Sequence, residues 1–422
     1  MRKLLLFCLI FLLFTGAVPA ASGEEIRTAD DLRARYLENL NKKISAVYVN
    51  GPSAANPYEA GVLTDEAIEA AVSEANFIRW LAGLDELETD AGLNALAQHG
   101  AVLMAANKSL SHSPEQPADM PDDFFKMGEA AAASCNLAMF NWAEEDLLNQ
   151  AVVQFSRDDT GANRYILGHR RWLLYPAMKY TGFGLAQDED GRSYAAMYVM
   201  DESNGKAEYD LICWPSGGAF PAELMSADTP WSVTPNPEIY DLEKSSPRIV
   251  MTEETTGAEF VFEIMTEEAA GDQYFVLGGG RFGGGPTYIF RPDLSAYDRL
   301  MYGYSQNQVW TVRLDGMILK SGAPAGPIEY TVEIASLTPI SPAAVEIMPR
   351  EMTVRVGEEA YLSAQVIPDW ADDLSVVWSS SDESIASVGP DGRVRGIGKG
   401  TCLVIAEAVN GKKDEVGITV TE

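Results

Sequence analysis

The sequence predicts a multidomain protein in which a mixed helix-and-sheet domain precedes two all-β regions. Apolar residues recur at helical spacing from residue 64 onward, and the helical signal nearly vanishes after Asp201. Strand-like runs then alternate with turn residues at short intervals, which is the pattern of a β-sandwich. A proline-containing linker at 337–343 divides this strand-rich part into residues 203–336 and 344–422. A chain of 422 residues is also too long for a single core.

Residues 1–20 predict a secretory signal peptide. Arg2 and Lys3 form a short basic region, Leu4 to Phe14 is an unbroken apolar run, and Val18-Pro19-Ala20 supplies small residues for cleavage. The run is shorter than the roughly 20 residues that a membrane-spanning helix needs, and no second long apolar segment follows. We therefore expect a mature chain without a transmembrane segment, secreted to the extracellular space and either free or associated with the cell surface. A retained N-terminal anchor is the alternative.

The acidity of the chain argues against one class of partner. The sequence holds 62 Asp and Glu residues against 31 Lys and Arg residues, which gives a formal net charge of −31. Such a surface repels phosphate backbones, so nucleic acid is not expected as a partner. The simpler explanation of the charge is solubility outside a cell.

Three cysteines follow the signal peptide, namely Cys135, Cys213 and Cys402. They are odd in number and far apart, so they do not form the disulfide framework of a small secreted domain. We predict buried free thiols, with a Cys135–Cys213 disulfide as the alternative.

The first domain is predicted over 64–202, after an N-terminal helical extension and linker over 23–63. The extension contains a predicted helix over Asp30–Ala46. Thr64 and Asp90 each cap a helix, because their side-chain oxygens can accept from free backbone N–H groups of the first turn. Later elements are a helix over Glu144–Phe155 and a hairpin of Tyr180–Ala186 with Tyr194–Met200.

Three histidines are the first candidates for function. His99 lies at the edge of an apolar helical stripe, which predicts a partly buried helix histidine. His112 follows a helix in the loop Leu110–Pro114, where packing does not require a histidine. His169 belongs to Gly168–Pro176, where the proline can end a helix before a strand begins, so this histidine could line a cleft.

The all-β part is predicted from alternation and turn residues. The glycine-rich stretch 278–285 lacks the ending of a phosphate loop, and it predicts a flexible hairpin loop. Beyond residue 344, Asp391-Gly392 and Asn410-Gly411 predict hairpin turns because both pairs tolerate positive φ. The predicted strands of 203–336 are Tyr209–Trp214, Glu259–Ile264, Tyr274–Leu277, Tyr288–Arg291, Val309–Arg313 and Tyr330–Ile334.

Four pieces of the first domain together form a family pattern. They are Leu96–Ala101 with Leu110–Ser113, Gly128-Glu129 followed by Asn136-Leu137, the helix segment Ala151–Phe155, and Gly168-His169-Arg170 through Gly182-Phe183-Gly184. In this order they resemble the CAP superfamily, also called SCP/PR-1-like, in its bacterial branch. The resemblance implies an α-β-α sandwich for residues 64–201. It also implies a superfamily that is associated with lipid or sterol binding, with defence and with occasional claims of proteolysis, and its bacterial branch has no settled activity.

The resemblance also implies a cleft that is lined by two histidines and two acidic residues. The histidines would be His112 and His169, and one acid would be Glu129. The second acid would be Asp158, three residues after the aromatic Phe155 at the end of the third helix. This chain departs from the family pattern here, because Phe155 replaces a common Trp and Asp158 replaces Glu or Ser.

Such a group of residues has two chemical uses. Neutral imidazole and carboxylate are good ligands for Zn²⁺ and similar divalent cations, so His112 and His169 are candidate metal ligands. The same four residues could instead form a polar cluster in which a carboxylate orients each imidazole. No catalytic nucleophile is predicted, because a nucleophile needs a base within hydrogen-bond reach and none is identified.

The C-terminal region carries a second resemblance. Val376–Val388, with its Trp378-Ser379-Ser380-Ser381, precedes the glycine-spaced Gly392–Thr401. Residues 344–422 on this basis resemble a bacterial Ig-like domain of group 2, in which Trp378 is expected to pack in the sandwich core. The expected fold is therefore a CAP domain of the α/β class plus two all-β Ig-like sandwich domains.

Three functional hypotheses follow from these patterns. The leading one is a secreted bacterial CAP-domain protein with an Ig-like stalk that binds an extracellular or cell-envelope ligand, such as a lipid, peptide or envelope polysaccharide, through the His/acidic cleft. The first alternative is a metal-dependent hydrolase or peptidase that uses the same cleft with Glu129 as general base. The second alternative is an adhesin that acts through the C-terminal Ig-like domain.

Overall fold

The structure is a computed structural model that describes residues 26–40, 44–205, 208–266, 271–280, 282–297, 300, 303–369 and 371–422. The predicted signal peptide lies outside the described residues. Within them, no helix has both the length and the apolar character that a membrane crossing requires. The described residues up to Phe220, with Leu224–Gly303 and Val309–Glu333, form one compact unit, and Pro221–Glu223, Tyr304–Gln308 and Ile334–Glu422 form a second.

The two predicted helix caps are confirmed. The Thr64 hydroxyl accepts from the Ala67 backbone N–H at 3.2 Å, and the Asp90 carboxylate accepts from the first turn of the next helix. The predicted helix over Asp30–Ala46 ends earlier, because the Ser45 backbone N–H and hydroxyl both donate to Glu66. The helices are α1 (Ala29–Leu40), α2 (Asp65–Leu81), α3 (Ala91–Asn107), α4 (Asp122–Ser134), α5 (Leu147–Arg157), α6 (Asn163–Ile166) and α7 (Gly168–Leu173).

The strands of the first domain form three small sheets. The predicted hairpin is confirmed as β6 and β7, and β4, which was not predicted, pairs with β7 to give the antiparallel order β4-β7-β6. Part of the predicted linker is a strand pair, β1 with β2. The strands are β1 (Tyr48–Asn50), β2 (Val62–Leu63), β3 (Glu88–Thr89), β4 (Cys135–Phe140), β5 (Tyr180–Thr181), β6 (Phe183–Gln187) and β7 (Ser193–Tyr198).

Helices cover both faces of the three-stranded sheet. Leu137 and Tyr194 share one apolar cluster with Ala97 of α3 and Ala131 of α4. Strand residues that point the opposite way, such as Ala195, are also buried, and α5 contacts β4 and β7 there. This α-β-α arrangement matches the predicted fold.

The middle region, residues 208–335, is a sandwich of two sheets with strand orders β13-β14-β10-β8 and β12-β11-β15-β16-β9. Its core is aromatic, since Trp214, Trp231 and Trp310 are fully buried. The glycine-rich stretch joins β13 to β14, as predicted for a hairpin loop. The strands are β8 (Leu211–Trp214), β9 (Gly218–Pro221), β10 (Trp231–Pro235), β11 (Arg248–Glu253), β12 (Ala258–Glu263), β13 (Tyr274–Gly278), β14 (Thr287–Arg291), β15 (Val309–Asp315) and β16 (Ile328–Ala335).

The C-terminal region is a second all-β sandwich, with the sheets β17-β20, β18-β25-β24-β21 and β19-β23-β22. Gly392 and Gly411 adopt positive φ in the two predicted turns. Trp378 is partly buried and packs against the core. The second strand of this region, β18, runs parallel to the last one, β25. The strands are β17 (Ala344–Met348), β18 (Glu351–Arg355), β19 (Glu359–Tyr361), β20 (Ser363–Ile367), β21 (Val376–Ser380), β22 (Ala386–Val388), β23 (Arg393–Gly396), β24 (Gly400–Ala408) and β25 (Lys413–Thr421).

Candidate functional site

Asp158 and His169 form a direct hydrogen-bonded pair. The His169 Nδ1 lies 2.8 Å from Asp158 Oδ1, while Asp158 Oδ2 accepts from the Arg170 backbone N–H at 3.0 Å. The aspartate side chain is 2% exposed and the histidine side chain 23% exposed. Because a carboxylate only accepts, Nδ1 carries a hydrogen, and in the neutral imidazole Nε2 is then the acceptor. The side-chain amide of Asn163 also lies 3.1 Å from Nδ1. The pair therefore presents one oriented imidazole at the surface.

Local structure brings the two residues together. Asp158 follows the last residue of α5 in the left-handed conformation, with φ of 47°, which an Asp tolerates better than most residues. The His169 ring packs on Phe155, one turn earlier in α5, with 5.2 Å between ring centroids. Asn136 of β4 donates from its side-chain amide to the His169 carbonyl at 2.9 Å. The histidine is thus held by two elements that lie far from it in the sequence.

The structure places His112 and Glu129 beside a different element, α4. His112 is exposed, and its Nδ1 lies 2.6 Å from the carbonyl oxygen of Ala132. Glu129 is exposed one helical turn before Ala132 on the same helix. Ala132 precedes Asn136, the residue that bonds His169, by only four positions. One short segment therefore contacts both predicted cleft histidines, although no hydrogen bond joins the two pairs directly in the described structure.

The described side chains of His112, Glu129, Asp158 and His169 do not form a cluster of three or more metal ligands. Among the described residues, no group of three or more His, Cys, Asp or Glu side chains is placed to hold a metal ion. In both histidines of the predicted cleft Nδ1 is engaged, by Asp158 in one case and by the Ala132 carbonyl in the other, and Nε2 has no hydrogen bond to the described residues. Metal-binding histidines commonly use this arrangement.

The third histidine is outside this group. His99 is partly buried on α3, as predicted, with its Nδ1 2.7 Å from the Ala95 carbonyl oxygen. Its ring packs on Phe124 at 4.6 Å between centroids. His99 is therefore a natural internal control for experiments on the other two.

The three described cysteines are free thiols, and Cys135 and Cys402 are buried as predicted, whereas Cys213 is half-buried. Burial raises the pKa of Cys135 to about 12, and the pKa of Cys213 also to about 12. Since the thiolate is the nucleophilic form of a cysteine, these two thiols are poor nucleophiles at neutral pH.

The middle sandwich holds the segment that carries His169. Leu167 is fully buried in a cluster with Tyr274, Val276 and Ile289, although its φ of 52° is unfavourable for a leucine. Asp159, next to Asp158, accepts from the Ser226 hydroxyl at 2.9 Å. Leu167, two residues before His169, and Asp159, the residue after Asp158, are therefore both held by the middle sandwich.

The two arginines after His169 extend this attachment. Arg170 donates to the carbonyls of Ser156, Arg157 and Pro230, so it joins α5 to the loop before β10. Arg171 donates to the carbonyls of Gly279, Phe282 and Gly285 in the glycine-rich loop. Sequence reasoning assigned no role to either arginine. The sequence feature that could have indicated these roles is a pair of adjacent cations in a mostly apolar segment of an acidic chain.

Comparison with protein families identifies two parts of the chain. Residues 72–201 match the family model described as CAP, cysteine-rich secretory protein family. Residues 343–419 match the model of the bacterial Ig-like domain (group 2). Both matches agree with the resemblances that were derived from the sequence.

Curated relatives share only a short part of their length with this chain. A lacto-N-biosidase of Bifidobacterium bifidum is 32% identical over 115 residues, 25% of this chain and 10% of the relative. An alpha-L-arabinofuranosidase of Bifidobacterium longum subsp. longum is 30% identical over 118 residues, 28% of this chain and 10% of the relative. The chain thus spans about a tenth of the length of each.

Among solved structures, domains 4 and 5 of the S-layer protein SbsC are 13% identical and are matched over 40% of this chain and 88% of theirs, with a TM-score of 0.19. So low a score supports no conclusion about this protein. The family matches carry the assignment: the chain contains a CAP domain of the cysteine-rich secretory protein family, followed by a strand-rich region that includes a bacterial Ig-like domain of group 2.

Proposed function

We propose that this is a secreted bacterial protein whose CAP domain binds an extracellular or cell-envelope ligand, without turnover, in a cleft formed around His169 and His112. The observation that carries the proposal is the pairing of a partly exposed imidazole with a buried carboxylate. Asp158 is 2% exposed and fully engaged, so its function is to orient His169. A binding group that is already oriented loses less conformational freedom when a ligand arrives.

The chemistry of the cleft favours a ligand that carries hydrogen-bond donors. With Nδ1 donating to Asp158, the His169 Nε2 accepts from a hydroxyl or an amide of the ligand. The exposed Glu129 carboxylate supplies further acceptors near His112. Sugars and peptides offer such donors in abundance, whereas the hydrocarbon part of a lipid offers none.

Among the candidate ligands, envelope polysaccharide is the first to test. The curated relatives are named for enzymes that act on carbohydrates, a lacto-N-biosidase and an alpha-L-arabinofuranosidase. The Ig-like domain at 343–419 belongs to a bacterial family, which is compatible with an extracellular or surface location.

The experiment compares three matched histidine variants of the full chain. Binding to soluble cell-wall polysaccharide fragments, to peptide pools and to phospholipid vesicles is measured by calorimetry for His169→Gln, His112→Gln and His99→Gln. We expect one ligand class to bind the wild type. We expect affinity to fall about tenfold, the value of one good hydrogen bond, in the first two variants and to be unchanged in the third. If the three variants bind the ligand with equal affinity, His169 and His112 do not form the proposed binding cleft.

A divalent-cation site on the same histidines is the second candidate, and it would serve the hydrolase hypothesis. The observation that favours it is the free Nε2 of both His112 and His169. A bound cation there would supply Lewis-acid chemistry. Elemental analysis of purified protein should then find about one zinc-like ion that is lost in His169→Ala and kept in His99→Gln. A protein that neither contains nor takes up zinc contradicts this second proposal and leaves the first intact.

A further inference from the structure

The side-chain amide of Asn163, in the short helix α6, lies beside the pair of Asp158 and His169. Its Nδ2 atom is 3.1 Å from His169 Nδ1, and Asp158 Oδ1 is 2.8 Å from the same ring nitrogen. This nitrogen therefore has two neighbours at hydrogen-bond distance, and its protonation decides which atoms those neighbours can be.

An amide nitrogen does not fit as a partner of His169 Nδ1. The Asp158 carboxylate accepts from the Arg170 backbone N–H at 3.0 Å and lies beside the buried cation of Arg170, so it is ionised at neutral pH. An ionised carboxylate only accepts, so Nδ1 carries a hydrogen whether the imidazole is neutral or charged. Asn163 Nδ2 also carries hydrogens, and two donors cannot bond to each other.

The opposite orientation of the Asn163 amide removes this conflict. An amide keeps almost the same shape when its oxygen and nitrogen are exchanged, so the hydrogen-bond network decides between the two orientations. After the exchange, Asn163 Oδ1 faces the His169 Nδ1–H, which Asp158 and Asn163 then share. The NH2 group takes the outer position, whose atom has no described hydrogen bond and is not among the buried polar atoms that lack one. The NH2 group is therefore open to solvent.

The backbone of Asn163 is held through the middle sandwich. Its carbonyl accepts from the Leu167 backbone N–H at 2.6 Å, and Leu167 is fully buried beside Tyr274. The Tyr274 hydroxyl in turn donates to the Arg164 carbonyl at 2.7 Å. The amide is therefore in place before a ligand arrives, and a group that is already fixed loses less conformational freedom on binding.

We propose that Asn163 accepts from the His169 Nδ1–H through Oδ1 and donates to the ligand of the cleft through its outward NH2 group. The cleft then presents one acceptor, His169 Nε2, and one donor, Asn163 Nδ2, no more than roughly 8 Å apart. The ligand part of this inference rests on the proposed function, whereas the orientation of the amide does not.

A donor beside an acceptor favours the hydroxyl groups of a sugar as the ligand. A hydroxyl both donates and accepts, so one sugar hydroxyl, or two neighbouring ones, can bond to His169 Nε2 and to Asn163 Nδ2. A trans peptide bond directs its N–H and its C=O in opposite directions, so a single peptide unit does not meet both groups.

The orientation of the amide is tested by NMR without any ligand. In the full chain labelled with ¹⁵N in histidine, the shifts of the His169 ring nitrogens, assigned with His169→Gln, report which nitrogen carries the hydrogen. We expect the hydrogen on Nδ1 in the neutral imidazole. A hydrogen on Nε2 would mean that Nδ1 accepts from the Asn163 amide, and it would overturn the proposal.

The donor is tested by calorimetry with soluble cell-wall polysaccharide fragments and with peptide pools. Asn163→Asp keeps an acceptor for the His169 Nδ1–H but removes the NH2 group, so we expect the affinity for polysaccharide to fall about tenfold. Asn163→Leu, which adds no charge, should lose at least as much. Asn141→Asp makes the same charge change at an exposed position and should bind like the wild type. Wild-type affinity in Asn163→Asp would refute the donor.

The outcomes distinguish this inference from the proposed function. If affinity falls in His169→Gln but not in the Asn163 variants, the cleft stands and the role of Asn163 is wrong. If peptides bind and polysaccharides do not, the cleft stands and the hydroxyl ligand is wrong. If no ligand binds the wild type, the proposed function fails together with the donor role, and the NMR measurement still decides the orientation of the amide.

Discussion

His169 and His112, the two histidines of the predicted cleft, are held in very different ways. His169 is fixed by a buried aspartate, by Phe155, by Asn136 and, through its neighbours in sequence, by the middle sandwich. His112 is exposed, and its one described hydrogen bond is made to a backbone carbonyl of α4. One half of the candidate site therefore depends on contacts across two domains, whereas the other half depends on a local loop.

The largest expected effect on the free energy of unfolding comes from removing the Arg170 guanidinium, which joins α5 to the loop before β10. Arg170→Met removes the guanidinium that donates to the carbonyls of Ser156, Arg157 and Pro230 in a buried position. We expect the free energy of unfolding to fall by about 3–5 kcal/mol, measured by urea denaturation. Lys126→Met, which removes an exposed cation of α4, should behave like the wild type. If both variants are equally stable, the sandwich does not support the site.

The next effect is a pH dependence of the free energy of unfolding, which comes from the buried Glu74 of α2. Burial raises the pKa of Glu74 to about 7 from an ordinary 4.5. The folded protein then binds more protons than the unfolded chain between these values. The free energy of unfolding therefore falls as pH rises from 4.5 to about 7, by at most about 3 kcal/mol, and is level above that.

Glu74→Gln is the control for this pH window. The variant should show no fall in stability across this pH window, because it has no carboxyl group to protonate at this position. A pH profile of urea midpoints that is identical in wild type and Glu74→Gln would contradict the burial of a protonated Glu74.

A smaller effect is expected from the pair itself. Asp158→Asn keeps the shape but leaves one acceptor oxygen for two donors, so its NH2 group faces either the His169 Nδ1–H or the Arg170 backbone N–H. We expect a loss of about 1–2 kcal/mol in the free energy of unfolding and at least a tenfold loss of affinity for any ligand of the cleft. A variant that loses stability but binds normally would limit Asp158 to a structural role.

The smallest effect on stability is expected at His112. Because the side chain is exposed and has one described bond, His112→Ala should change the free energy of unfolding by no more than about 0.5 kcal/mol. Its effect on ligand affinity should nevertheless match that of a His169 variant. If affinity is unchanged, the two histidines do not share a ligand, and the site reduces to His169 and Asp158.

The sequence predicted the fold correctly where a capping residue or a repeating apolar pattern marks a specific element. Thr64 and Asp90 marked helix starts, and alternation marked the β6–β7 hairpin. The helix α4 was missed because its buried face is built from Gly128, Ala131 and Ala132 instead of large apolar residues. A Cβ at Gly128 would crowd Leu103 of α3, so small residues there allow close helix packing. Strand β10 was missed because its buried polar residues and terminal proline are typical of a turn.

For the candidate site, the sequence predicted which side chains take part but not the contacts that hold them in place. The four cleft residues came from the family resemblance, and the structure brings Asp158 and His169 into contact. The roles of Arg170 and Arg171 were not predictable, because their partners are backbone carbonyls that lie up to 114 positions away. A carbonyl is present at every residue, so no sequence pattern marks the ones that an arginine will bind.

The parallel pairing of β18 with β25 has a mechanical consequence. These strands lie near opposite ends of the C-terminal domain in sequence, and they are in register from Glu351 with Gly417 to Arg355 with Thr421. A pull on the N-terminal end of β18 and on the C-terminal end of β25 would therefore act along the two strands in opposite directions. The ladder is loaded in shear, so its hydrogen bonds must break together and not one after another as in a peeled hairpin.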